Sequence, residues 1–67
     1  MQVNNTEQAL QAWNCQNCHK AKSATFVKHD GLYVVKDGRG RVLGGVTSGG
    51  DILDHNDLLT FRALAHG

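Results

Sequence analysis

Two Asp-Gly turn signals inside a β-rich stretch are the strongest constraint on what this chain can fold into. Thr25-Phe26-Val27-Lys28, Leu32-Tyr33-Val34-Val35-Lys36 and Arg41-Val42-Leu43 are rich in β-branched and aromatic residues, which suit a pleated, half-buried surface. Asp30-Gly31 and Asp37-Gly38 punctuate them, and glycine reaches positive φ in a tight turn at low steric cost. Residues 25–46 therefore read as two or three antiparallel strands. Gly44-Gly45 marks a bulge or a close approach of backbone, and Gly49-Gly50 ends the sheet region.

Helical patterns flank this stretch. Asn5 or Thr6 can cap a helix that begins at Glu7, whose charge suits a helix N-terminus. Leu10, Trp13, Cys18 and Ala21 keep rough helical spacing, so this helix either stops near Trp13 or continues to about Lys22. Near the C-terminus Asp54 is a good cap, Asp57 suits the first turn, and Leu58, Phe61, Leu64 and Ala65 form an apolar stripe. Gly67 fits a stop. The expected fold class is α+β: a helix, an antiparallel β-meander of two or three strands and a C-terminal helix, in one small domain spanning 1–67. A chain of 67 residues buries only about 60% of its unfolded surface, so a metal, a disulfide or a partner chain is a common supplement.

Cys15-Gln16-Asn17-Cys18-His19 is the chemically pointed segment. Two thiolates separated by two residues can bind one Zn²⁺, and a structural site needs four N or S ligands in a tetrahedron. His55, at the start of the second helix and at the edge of its inward face, is the leading third ligand. His29, at the end of a strand, is the next. His66 is too far along the same helix to share an ion with His55, at about 16 Å for a rise of 1.5 Å per residue. One zinc held by Cys15, Cys18, His55 and His29 is thus the candidate staple. A Cys knuckle, a hairpin and a helix with a ligand at its start resemble the treble-clef type of zinc finger. The bland alternative is that both cysteines are small buried hydrophobes. A further reading is covalent haem, because Cys-x-x-Cys-His is the c-type attachment sequence, with His19 as axial ligand. The strand-rich centre and the lack of any methionine other than Met1 count against it. A thioredoxin-like role would need the Cys pair to follow a strand, and here a helix precedes it.

The net charge of +1 hides an asymmetry. Lys20, Lys22, Lys28, Lys36, Arg39 and Arg41 make the middle basic, while Asp51, Asp54 and Asp57 make the last third mildly acidic. Those six bases are the candidate phosphate contacts of a nucleic-acid-binding regulator, although the field is well short of a strong basic patch. No catalytic grouping can be argued, so the chain is expected not to be an enzyme. The leading functional expectation is a protein-interaction module, a stand-alone small inhibitor or adaptor of the kind phages and plasmids encode, stapled by zinc. The alternatives are a zinc-finger-like regulator on DNA or RNA and, least favoured, a haem electron carrier. Another protein is the first-choice partner, and a homodimer would relieve the thin core. Residues Met1 to Asn14 lack the basic start and apolar stretch of a signal peptide. No segment is apolar enough to span a bilayer, so no membrane partner and a cytoplasmic site are expected.

Overall fold

The computed structural model describes residues 2–66, with side chains described through Leu64. Helix α1 covers Thr6–Gln16. Asn5 caps it, its Oδ1 accepting from the backbone N–H of Gln8 at 2.8 Å, while Gln8 Oε1 reaches back to the N–H of Asn4 at 2.7 Å. This reciprocal pairing satisfies two donors at the start of the helix. The helix stops because Asn17 turns extended (φ −124°, ψ 143°). The N–H of Asn17 and its side-chain Nδ2 both donate to the Trp13 carbonyl, at 3.1 and 2.9 Å.

Four strands follow: β1 Ser23–Val27, β2 Leu32–Lys36, β3 Val42–Thr47 and β4 Ile52–Asp54. They form one antiparallel sheet in the order β1-β2-β3-β4. The expectation of two or three strands is corrected by β4, which pairs Val46 with Ile52, Gly45 with Leu53 and Gly44 with Asp54. Gly49-Gly50 does not end the sheet but turns it. Gly50 takes φ +92° and donates to the Thr47 carbonyl at 2.9 Å, while Thr47 Oγ1 accepts from the N–H of Asp51. The register slips between Val35 and Lys36, which face Gly44 and Val42.

Helix α2, His55–His66, starts directly from β4. Asp54 Oδ1 accepts from the N–H of Asp57 at 2.7 Å, supplying the N-cap bond. The two helices take opposite faces of the sheet. Tyr33, Val35 and Val46 point to α1 and pack with Ala9, Ala12 and Trp13. Their strand neighbours Leu32 and Val34 point the other way and pack with Leu58 of α2, joined by Val27, Leu53 and Phe61. A strand turns successive side chains to opposite faces, so β2, covered on both, is buried at four successive residues, Leu32 to Val35. Of the expected α2 stripe, Leu58 is buried and Phe61 half-buried, while Leu64 is 79% exposed; the Ala65 side chain lies outside the described set. An ion pair links α2 to the β1–β2 turn: Arg62 Nε donates to Asp30 Oδ2 at 2.9 Å, with the carboxylate fully buried and the arginine half exposed.

The proposed zinc staple is corrected as well. Among the described residues no group of three or more His, Cys, Asp or Glu could hold a metal ion. The reason lies in the element order. Cys15 is in the last turn of α1 and Cys18 in the bend beyond it. His29 is in the turn after β1, a strand length of about 17 Å away. His55 opens α2 on the other face of the sheet.

Candidate functional site

Both cysteines are exposed, so the buried-hydrophobe reading does not describe them, and no ligand cluster among the described residues supports the zinc reading. The segment around them is nevertheless well fixed. Trp13, buried under α1, donates from Nε1 to the His19 carbonyl at 2.9 Å. Asn14 Oδ1 accepts from the N–H of Ala21 at 2.7 Å, and Asn14 Nδ2 donates to the Ala21 carbonyl at 3.4 Å. Lys20 Nζ donates to the Asn14 carbonyl. Residues 17–21 are thus folded back along the last turn of α1. Asn side chains bond nearby backbone at helix ends, and that propensity in Asn14 and Asn17 was the available sequence signal. Cys15 also lines a half-open groove of about 560 Å³ with Gln11, Ala12, Gln16 and Gly50.

The haem reading gains no support here either: Cys15–His19 is a largely exposed helix end and bend between Asn14 and Lys20.

The six predicted bases do not form one set. Lys22 lies just before β1, and its N–H donates to the Lys36 carbonyl at 2.8 Å. Arg39 and Arg41 belong to the adjacent hairpin. Lys20 is in the folded-back loop. These five share the end of the sheet where β1 begins; Lys28, after β1, lies at the other. Asp54 and Asp57, where β4 passes into α2, also lie at the end where β1 begins, as does Asp37, whose carboxylate serves the hairpin. Asp37 Oδ1 accepts from the N–H of Arg39 at 2.8 Å and of Arg41 at 3.0 Å. The bonds from Arg41 and Arg39, and then their charges, hold the Asp37 carboxyl below its ordinary value of 3.8.

The feature that sequence reasoning left undeveloped is the edge strand β1, which among the described residues pairs with β2 alone. The opposite edge strand, β4, has three residues and runs straight into α2. By contrast β1 has five, Ser23 to Val27, with no charge and no proline among them. Lys22 and Lys28, both exposed, flank it. Phe26 is 49% exposed there, its ring tilted at 49° against Tyr33 with centroids 5.0 Å apart.

Comparison with family models, curated proteins and solved structures found no match. The expected zinc-stapled phage- or plasmid-type inhibitor or adaptor is corrected by the lack of a metal-binding group among the described residues, and with it the zinc-finger-like regulator; nothing found supports the haem carrier. No helix among the described residues is long and apolar enough to cross a membrane.

Proposed function

We propose that this chain is a non-catalytic domain whose β1 edge accepts an extended, acidic segment of another polypeptide as a fifth strand. The observation that carries this reading is the asymmetry of the two sheet edges: β4 is short and continues into a helix, while β1 is longer, neutral along its length and, among the described residues, paired on one side only. An edge strand presents unpaired N–H and C=O groups that an added strand can satisfy.

Charge decides the occupant. In a two-fold antiparallel pairing of β1 with a second copy, centred on Thr25, Lys22 of each chain would face Lys28 of the other. Like charges directly opposite destabilise a strand pair. The same lysines favour a partner strand bearing carboxylates at both ends, and Lys20, Lys36, Arg39 and Arg41 extend the attraction beyond Lys22. A homodimer through this edge is therefore the disfavoured occupant, as is a nucleic acid, because Lys28 stands apart from the other five bases. The reading places the chain in the cytoplasm, a reducing compartment in which free thiols such as Cys15 and Cys18 persist.

The test is an NMR titration with a short Val/Thr peptide carrying a glutamate at each end. Expected are amide shifts centred on residues 22–28, loss of binding in Lys22→Glu/Lys28→Glu, and weakening with salt. Equal binding of the lysine-ended peptide, or shifts elsewhere, overturns the proposal.

A further inference from the structure

We propose that Cys15 and Cys18 are a reversible oxidation site, closing to an intramolecular disulfide by exchange with a small anionic disulfide of the oxidised-glutathione type. This is independent of strand addition at β1.

Three observations carry it. Both thiols are exposed and free, so a soluble disulfide can reach them. They are three positions apart in sequence, and the chain around Cys18 is folded back on the last turn of α1. Asn17, on one side of Cys18, is bonded twice to the Trp13 carbonyl; His19, on the other side, receives the Trp13 indole N–H. Both chain neighbours of Cys18 are thereby tied to the residue two positions before Cys15. The Asn14–Ala21 pair and the Lys20–Asn14 bond close the same loop. The segment carrying Cys18 is thus kept at the helix turn that carries Cys15, and a resolving thiol within reach of an attacking one completes exchange within one molecule. Finally, Lys20 is anchored at the residue before Cys15, and positive charge raises the local concentration of an anionic reagent.

The chemistry balances without a metal. One thiolate attacks a sulfur of the glutathione disulfide, forming a protein–glutathione mixed disulfide and releasing one glutathione thiolate. The second thiolate attacks the protein sulfur of the mixed disulfide and releases the other glutathione. The protein loses two protons and two electrons, and the reagent gains them as two thiols. Closing the pair also ties the Cys15 sulfur, which otherwise borders the groove with Gln11 and Gln16, to Cys18.

The experiment incubates the full chain with reduced and oxidised glutathione at a series of ratios, traps free thiols by alkylation and reads intact mass. Expected for the unaltered chain is complete loss of both alkylatable thiols with no glutathione retained, reversed by dithiothreitol. Cys15→Ser and Cys18→Ser should each retain one glutathione. Both side chains are exposed, so the variants should keep the circular dichroism of the parent. Amide shifts on oxidation should fall within residues 13–21. Accumulation of glutathione adducts on the unaltered chain, disulfide-linked dimers, or both thiols remaining alkylatable in excess oxidised glutathione would each overturn the proposal.

Discussion

Gly44 sits where α1 comes closest to the sheet. A Cβ there would meet the Leu53 carbonyl oxygen and, at 2.7–2.8 Å, the six-membered ring of Trp13. Neither can give way easily, since Leu53 is held in the β3–β4 ladder and Trp13 by its bond to His19. Gly44→Ala is therefore expected to lower stability by about 2–3 kcal/mol, in the range of overpacked cores, as read by urea denaturation. Gly45→Ala is a useful companion, because its nearest neighbour, at 2.9 Å, is Leu58 Cδ1, the end of a flexible side chain; it should cost less. Equal losses would mean that the indole does not pin Gly44. The Gly44-Gly45 pair was readable as a bulge or a close approach, and it serves as the close approach. The pairing with Trp13 was not legible, since nothing local to either residue indicates the other. The same limit applies to Cys15 and Cys18. Their spacing was plain, but whether other ligands converge on them depends on where the chain carries His29 and His55.

At the scale of elements, the β2–β3 hairpin is organised by one side chain. Asp37 accepts from two backbone N–H groups, and those bonds and the neighbouring arginines depress its pKa. A carboxylate whose folded pKa lies below its unfolded value adds stability that is complete above the unfolded value. That contribution is lost as pH falls through the folded one. The amide shifts of residues 37–41 should therefore titrate with a midpoint below the ordinary carboxyl value of 3.8. A two-dimensional NMR titration checks this, and an Asp37 midpoint at or above the ordinary value would contradict the assignment. This hairpin was legible, because Asp37-Gly38 is a local turn signal. Strand β4 was not. Ile52-Leu53-Asp54 is too short to show a period and reads as the approach to a helix; pairing with Gly44–Val46 makes it a strand, an instance of tertiary context overriding local pattern. Leu32-Tyr33-Val34-Val35 is apolar at every position, the mark of a strand covered on both faces. It anticipates helices on opposite sides of the sheet.

At the scale of the whole molecule, the question is what holds so short a chain together. A staple was expected because a thin core is marginal. The architecture offers another solution. By placing a helix on each face, the sheet is used twice, and β2 buries Leu32 and Val34 on one side and Tyr33 and Val35 on the other. The Arg62–Asp30 pair then fastens α2 to the β1–β2 turn, so the layers are joined by contacts distributed through the fold rather than at one ion. This has a direct consequence. If no ion links Cys15 and Cys18 to distant elements, the cysteines contribute only exposed surface under reducing conditions, and exposed substitutions away from special contacts stay within about 0.5 kcal/mol. Cys15→Ser/Cys18→Ser should therefore unfold at the same urea concentration as the parent, and a strong chelator should leave the thermal midpoint of both unchanged. A stapled domain would behave oppositely on both counts, since removing a structural metal removes folding free energy. A chelator-induced drop in the parent that is absent from the double variant would restore a metal to this site and displace the two-faced sheet as the source of stability.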